Sequence, residues 1–485
     1  MFFALPGLHV DGHDHIVDAI RNGAVAVVHT RSLATYLPGT TFIQVKDSRF
    51  AMSPAADAFW SSPSQSLAVI GVTGTEGKST TVWLTYRLLD LAGKRAGFIS
   101  TVEYRIADTV LPNPEHQTTP EATTIHAKLA TMLEHGLEYV VLEASSHGLS
   151  ARTNRLGDIR FDVGIITNIR HEHLEFHGSW EQYRDDKTNL LRRLAVDGAP
   201  KTIGGRMTSL PAFGVICHDD PSAAYCRAAS AAPVYSYSMH YRDDATSDSP
   251  CPTIYAMDIR PDNHGACFRL VSDDQQYACR LNLPGEFNVE NCLAAVLAVA
   301  KLTGIPIGEL VPLLPQLEPV RGRMTRIDAD QPFEVIVDYA HTPTSFSAIL
   351  PPLRERIKGK LLCVFGSGGE RDTLKRPEQG RIAAQYCDII ILSDEDPRGE
   401  DPMTLLEEIA TGCGSKSRGK DLFLIPDRAM AIRKALAMAS TGDMVLLLGK
   451  GHENSIIYAS GSIPWDEINE ARLALAEAGY KRKSI

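Results

Sequence analysis

The stretch Leu67-Ala-Val-Ile-Gly-Val-Thr-Gly-Thr-Glu-Gly-Lys-Ser-Thr-Thr81 leaves few folds open to this chain. Leu67 to Val72 is a short apolar run with two valines and an isoleucine, the pattern of a buried strand. Gly74 to Gly77 make a tight loop. From Ser79, the residues Val82, Leu84, Leu88 and Leu89 suit a helix that stops near Gly93. Strand, glycine loop, Lys-Ser and helix together form a phosphate cradle. Backbone N–H groups of the loop and helix start bind phosphate oxygens, Lys78 adds a positive charge, and the Ser79 hydroxyl can hold Mg²⁺. Val72 stands where the longer G-x-x-x-x-G-K-[ST] signature has its first glycine, so the motif is the shorter and less specific G-x-x-G-K-S. A chance glycine turn before a helix is the plainer alternative.

At 485 residues, several domains are expected, at roughly 100–200 residues each. A 44% hydrophobic, 22% charged composition supports true cores. The formal charge of −10 argues against nonspecific nucleic-acid binding. Nine scattered cysteines with no C-x-x-C pair indicate neither a disulfide framework nor a zinc ribbon, and fit reduced thiols in a cytoplasmic enzyme. No apolar stretch approaches the roughly 18–20 residues that span a bilayer, and Met1-Phe-Phe-Ala-Leu-Pro-Gly does not read as a signal peptide.

Residues 1–64 read as a small α/β unit, with strands at Phe2-Phe-Ala-Leu, Ala24-Val-Ala-Val-Val and Phe42-Ile-Gln-Val and a helix from Ile16 to Asn22. His9, His13 and His15 invite a metal reading, but beside Asp11 and Asp14 they are expected in a surface loop. Residues 65–317 form the central segment. After the phosphate loop come His116-Gln-Thr-Thr-Pro, a helix from Ala122 to His135, and a strand Tyr139 to Glu143 that ends in a carboxylate. An acid at such a strand end is where an α/β nucleotide site places an Mg²⁺ ligand. A strand from Val163 runs into Arg170-His-Glu-His-Leu-Glu-Phe-His-Gly178. The triplet His171-Glu-His173 suggests zinc, yet nothing supplies a third ligand, so His173 is read as an Mg²⁺ neighbour. Trp180 to Leu194 reads as a helix carrying Lys187, whose plain alternative is a solvated lysine. Residues 200–280 read as an antiparallel excursion, Asn288 as near a helix start where it would serve as N-cap, and Ile305 to Pro319 as a linker.

Residues 318–485 alternate strand and helix again. Strands at Val335, Leu361, Ile389 and Met444 end in Asp338-Tyr-Ala-His-Thr-Pro343, Gly366-Ser-Gly-Gly-Glu-Arg371, Ser393-Asp-Glu-Asp-Pro-Arg398 and Gly449-Lys-Gly-His-Glu453. Four polar loops after four strands are expected to gather at one carboxyl edge, where open α/β sheets bind ligands.

Taken in order, G-T-E-G-K-S, T-T-P, L-E-A-S-S-H-G, H-L-E-F-H-G with the later lysine, F-N-x-x-N, G-R-M, D-Y-A-H-T-P, G-x-G-G-E-R-D, D-P-R and G-K-G-H-E resemble the Mur ligases over nearly the whole chain. Within that family they resemble the members that extend UDP-N-acetylmuramoyl-L-alanyl-D-glutamate by a diamino acid. The resemblance implies three α/β domains: a uridine-nucleotide domain (1–64), a central P-loop ATPase-like domain (65–317) and a Rossmann-like amino-acid domain (318–485). It implies an ATP-dependent cytoplasmic ligase of cell-wall synthesis, a monomer without nucleic-acid or membrane partners. The D-glutamate carboxylate attacks the γ-phosphate, and the amine of meso-diaminopimelate, L-lysine or L-ornithine then displaces phosphate from the acyl phosphate.

By the same resemblance, Gly74, Thr75, Gly77, Lys78, Ser79, Thr80, Asn288, Arg323, Asp338 and His341 bind ATP. Ser79, Glu143 and His173 serve Mg²⁺, and Lys187, carbamylated by CO₂, holds a second; Lys78, Lys187 and His173 are the catalytic set. Thr118, Thr119, Ser145 and Arg155 hold the muramoyl-dipeptide, and Arg371, Asp396, Pro397, Arg398, Gly449 and Glu453 the amino acid. The family carries about one more strand–turn unit, with part of the uridine site, before the point that matches Met1. Its diaminopimelate members read D-N-P-R where this chain has Glu395-Asp-Pro-Arg398, and asparagine is common where Glu76 stands. Arg398 favours a distal carboxylate, whereas the two acids suit a bare distal ammonium. Two other readings are a folylpolyglutamate synthase-like ligase and a non-catalytic nucleotide-binding partner in cell-wall assembly.

Overall fold

The computed structural model describes residues 1–7, 10–113, 115, 117–170, 174–194, 200–241, 251–262, 264–273 and 275–480. They form two compact units: 1–260 with 266–282 and 286–317, and 261–265 with 283–285 and 318–485.

The first unit opens with a small parallel sheet of Phe2–Phe3, Ala26–His29 and Thr41–Gln44 around Ala4, Ile16 and Val27. His15 is exposed as expected, but His13 is not a loop side chain. It is buried, with Nδ1 2.7 Å from Asp11 Oδ1 and Nε2 accepting the Thr30 N–H at 3.1 Å. Nδ1 closes the turn on Asp11, and Nε2 ties that turn to the end of the Ala26–His29 strand. No three-residue metal-ligating group occurs among the described residues, and His9 lies outside them. The Ser48–Phe59 helix, started by Asp47 accepting the Arg49 and Phe50 N–H groups, packs on the Ala122–Glu134 helix.

The main sheet has eleven strands among the described residues. Its centre is Ala68–Thr73, flanked in parallel by Tyr139–Glu143 and Val163–Ile166, with Ala96–Ile99 beyond the former. Every residue of Ala68–Thr73 is buried, which is why it reads as a continuous apolar run rather than an alternating one. The chain places successive strands on opposite sides of it, so the loops leaving its carboxyl end open onto a switch point.

The 200–280 segment corrects one expectation. Phe213–Cys217 pairs in parallel with Val163–Ile166, and Val234–Ser238 in parallel with Phe213–Cys217, through the crossover helix Ala223–Ala229. These strands widen the central sheet. The Gly265–Ser272 and Gln275–Leu281 hairpin is antiparallel, at the edge. Burial of all of Phe213-Gly-Val-Ile-Cys217 is the mark of a sheet covered on both faces. The 305–319 linker is also corrected. It folds into the turns Ile307–Leu310 and Val311–Gln316, burying Leu310, Leu314 and Leu317, and Asn282 Nδ2 donates to the Pro315 carbonyl at 2.8 Å. Its prolines preset turn dihedrals instead of holding the chain extended.

In the second unit, Glu334–Asp338, Met444–Leu448, Leu361–Phe365 and Ile389–Leu392 lie side by side and parallel. Leu422–Leu424 extends them in parallel and Thr325–Ile327 in antiparallel. The four loops do end at one edge, as their sequence spacing predicts. Behind them Arg428 and Glu467 form a fully buried ion pair, with Arg428 Nη2 2.7 Å from Glu467 Oε1.

Candidate active site

The loop after Ala68–Thr73 needs glycine twice. A Cβ at Gly74 would stand 1.8 Å from Thr167 Oγ1, and one at Gly77, where φ is +81°, would stand 2.3 Å from Asn291 Oδ1. Gly77 is the N-cap of the Lys78–Leu91 helix, whose open N–H groups face the loop. The end of Val163–Ile166 grips the loop from beside it. Thr167 Oγ1 and Asn168 Nδ2 donate to the Glu76 carbonyl at 2.6 and 3.2 Å, and Asn168 Oδ1 accepts the Glu76 N–H at 2.9 Å. The Thr75 hydroxyl is engaged with the Arg170 N–H at 2.8 Å and the Tyr183 hydroxyl at 3.1 Å. The Thr75 N–H donates to the Asn168 carbonyl at 2.9 Å, so the residue is tied on all sides to the neighbouring strand end. Lys78 is half-buried and donates to the Thr75 carbonyl at 2.8 Å; Thr80 is half-buried in the same first turn.

Glu143 is the next fixed point. It is buried, its Oε1 accepts the Ser79 hydroxyl at 3.0 Å, and its Oε2 accepts the Thr101 N–H at 2.8 Å. A hydroxyl and a carboxylate oxygen side by side are hard donors of the kind Mg²⁺ takes when nucleotide phosphates complete its shell, so the pair fits that ion. Lys187 is 2% exposed, which removes the solvated-lysine alternative. Its Nζ donates to the Gly74 carbonyl at 2.6 Å and lies 4.5 Å from the Tyr183 ring centre. His173 lies outside the described residues.

The loop beyond Glu143 joins the other sequence-predicted groups. Thr119 Oγ1 donates to the Glu143 carbonyl at 3.0 Å and accepts the Ser145 N–H at 2.9 Å. Arg155 donates to the Thr119 carbonyl at 2.8 Å and to Glu121 at 2.9 Å. Thr118 is half-buried beside them. Glu121, which the sequence does not single out, also takes Arg49 at 3.1 Å, so one carboxylate aligns two arginines. Asn288 is buried inside the first turn of Phe287–Thr303 and is not its N-cap, which is Glu286; Asn288 Oδ1 is 3.5 Å from Asn291 Nδ2.

In the second unit Asp338 is buried and accepts the Met324 N–H at 2.7 Å and the Ala340 N–H at 2.8 Å. Burial pushes its carboxyl up, against the pull of Arg323 and those two amides. Arg323 lies 4.6 Å from the Tyr339 ring centre, and His341 Nδ1 is 3.0 Å from the Tyr339 carbonyl. Lys450, unassigned by the sequence reading, is the pivot of the amino-acid loops. It is fully buried, 2.9 Å from Asp396 Oδ1 and 2.5 Å from Glu453 Oε2. Asp396 Oδ1 also accepts the Ile457 N–H at 3.0 Å, and Glu453 Oε1 the Tyr339 hydroxyl at 3.1 Å. Gly449, at φ +99°, leaves room for Glu395, whose Oε2 would be 2.6 Å from a Cβ there. Glu395 is buried, its Oε2 has no hydrogen-bond partner among the described residues, and burial raises its carboxyl against the pull of Lys375, Lys450 and Arg428. Pro397 is buried, Arg398 half-buried at a left-handed φ of +55°, and its N–H donates to the Ile457 carbonyl at 2.9 Å. Arg371 is exposed and makes no ion pair among the described residues.

Residues 72–299 match the Mur ligase middle domain and residues 322–451 the Mur ligase, glutamate ligase domain. The chain is 51% identical over 483 residues to a UDP-N-acetylmuramyl-tripeptide synthetase of Treponema denticola, covering 98% of this chain and 89% of that protein. It is 37% identical over 480 residues to a UDP-N-acetylmuramoyl-L-alanyl-D-glutamate–2,6-diaminopimelate ligase of Geobacillus kaustophilus, covering 99% and 92%. A solved structure of a ligase of the latter name matches with a TM-score of 0.63 at 28% identity, covering 99% of this chain and 92% of that one. No helix among the described residues is long and apolar enough to cross a membrane. The α/β architecture is that of these ligases, and the readings as a folate-type ligase or a non-catalytic partner give way to it. The chain belongs to the Mur ligase family, the ATP-dependent ligases that form amide bonds in peptidoglycan precursor synthesis.

Proposed function

We propose that this ligase adds a diamino acid to UDP-N-acetylmuramoyl-L-alanyl-D-glutamate, releasing ADP and phosphate. The observation that carries this is the group at the phosphate loop: Ser79 on Glu143, and Lys187 on the Gly74 carbonyl. A carboxylate and a triphosphate repel one another, so a site that joins them must gather positive charge. Lys78 and the N–H groups of the Lys78–Leu91 helix start hold the phosphates, Thr119, Ser145 and Arg155 the dipeptide, and Asn288, Arg323, Asp338 and His341 the rest of ATP. Ser79, Glu143 and His173 would hold one Mg²⁺ and the Lys187 carbamate a second, and ions bound there would offset the charge of the γ-phosphate and the attacking carboxylate. The same reading keeps a uridine-nucleotide domain to residue 64, an ATP-binding domain to 317 and an amino-acid domain beyond, in a monomer that works in the cytoplasm.

The amino acid is L-lysine or L-ornithine. Every amino acid brings an α-carboxylate, so Arg371 and Arg398 have a partner without any second carboxylate. The acids are what discriminate. Asp396 and Glu453 share one cation, Lys450, and so keep one negative charge in excess, which a bare distal ammonium balances. A second reading, meso-diaminopimelate, has Arg398 in its favour, half-buried and held in a strained backbone conformation that local contacts must maintain. Phosphate release measured with the UDP-muramoyl dipeptide and each of the three amino acids decides. Lysine or ornithine is expected to be fastest, and Asp396→Asn to lower kcat/KM for it by about ten- to a hundredfold, the worth of one charged hydrogen bond. Release with diaminopimelate alone would reverse the charge argument, and silence with all three would remove the proposed substrates.

A further inference from the structure

A row of three buried side chains joins the turn after Glu143 to the helix that carries Lys187. His177 Nδ1 lies 2.7 Å from Asp186 Oδ2, and His177 Nε2 lies 3.0 Å from Ser146 Oγ. Ser146 is 2% exposed, His177 3% and Asp186 4%. A carboxylate at Nδ1 favours the tautomer that carries its proton there, with Nδ1–H donating to Asp186, which leaves Nε2 to accept the Ser146 hydroxyl. The order of groups is that of a hydrolase triad, but here the hydroxyl is sealed from any acyl group, and its use is to fix position.

What it fixes is a weak element. Ser146–Leu149 is a single helical turn, too short to hold its own orientation. Ser145 caps it, with Oγ accepting the Gly148 N–H at 3.1 Å, so the Ser145 hydroxyl points wherever the turn points. Around the row, Asn189 Nδ2 donates to the Leu149 carbonyl at 3.2 Å, Arg152 donates to the Phe176 carbonyl at 2.7 Å, and the His147 ring lies 3.9 Å from that of Phe176. Asp186 immediately precedes Lys187 on Trp180–Arg192.

We propose that His177 is a positioning residue that locks the dipeptide-binding turn 145–149 to the Lys187 helix, so that the substrate carboxylate and the phosphate loop keep one fixed distance. The proposal rests on the reading that Thr119, Ser145 and Arg155 contact the muramoyl-dipeptide. A misplacement of about 1 Å in such a site costs on the order of a hundredfold in rate.

The test compares the full-length enzyme with His177→Phe, His177→Gln, Ser146→Ala and Ser146→Ala/His177→Phe. It reads KM for the UDP-muramoyl dipeptide, KM for ATP, kcat, and hydrogen exchange at the amides of 145–149. His177→Phe is expected to raise the dipeptide KM about tenfold or more, at about 1.4 kcal/mol per decade, with the ATP KM within about twofold. The double variant is expected to be no worse than His177→Phe, because both remove the same bond. His177→Gln, which still accepts a hydroxyl hydrogen, restores part of the loss, and the 145–149 amides exchange faster in Ser146→Ala. An unmoved dipeptide KM and unmoved exchange in Ser146→Ala would overturn the proposal, even if His177→Phe fails to fold. Equal rises in both KM values that follow the lost folded fraction would also overturn it, leaving only a structural role. Wild-type enzyme inert toward the dipeptide would overturn the functional reading itself, a result separate from active wild type with unmoved variants.

Discussion

Lys187→Met lowers phosphate release by about 10²–10³-fold or more, the loss expected when one preorganised charged group leaves a water-poor site. Methionine nearly preserves the length and volume of the side chain, so the core around Tyr183, Leu190 and Leu191 stays filled. What goes is the nitrogen that reaches the Gly74 carbonyl at 2.6 Å. A lysine placed there as a plain cation would attract phosphate directly. A lysine that has added CO₂ would instead present an anion to a metal ion. The two roles separate by experiment. If the carbamate operates, wild-type enzyme stripped of CO₂ loses turnover and regains it with bicarbonate, while Lys187→Met is indifferent to bicarbonate. Wild-type turnover untouched by CO₂ removal would leave Lys187 as a simple cation, and full activity in Lys187→Met would end its catalytic role.

The second large effect lies in stability. Arg428→Met destabilises the second unit by about 3–5 kcal/mol, the cost of leaving a buried charge without its partner. Glu467 is fully buried and, among the described residues, would keep only the Trp465 indole N–H, which donates to its Oε2 at 2.6 Å. Two carbonyls lose their donor as well, Asp394 at 3.0 Å and Leu448 at 2.7 Å. Arg428→Lys is expected to fall nearly as far, because one ammonium cannot reproduce a planar fork that reaches a carboxylate and two carbonyls. Denaturant titration of each variant, read by a signal from the second unit, measures the loss; a change below about 1 kcal/mol would show that the pair contributes little.

Much of this was legible because strong local patterns coincide with the fold. The Leu67–Thr81 stretch names its strand, loop and helix, since only glycine survives beside Thr167 and Asn291. The four loops of the second unit are readable because each ends a continuous apolar strand. Contacts made at a distance were not. His13 sits among polar neighbours in sequence, and its burial comes from Thr30, seventeen positions on. Lys450 has no partner nearby in sequence except Glu453, and its place emerges only when the fold brings Asp396 beside the two. The 213–217 and 234–238 strands are short, and their parallel pairing depends on partners earlier in the chain. Prolines at 306, 312 and 315 resemble a tether, while the leucines between them supply the packing.

Arg428 holds the roots of two loops through main-chain carbonyls, and carbonyls are the same whatever residue carries them. The tips beyond, at 395–398 and 450–453, can therefore be exchanged as a matched set, Lys450 together with Asp396 and Glu453, without losing that base. A scaffold of this kind invites transplantation: tip sequences from a relative with another amino-acid preference should seat on the same anchor, and specificity could diverge between lineages by few steps while the sheet beneath stays constant.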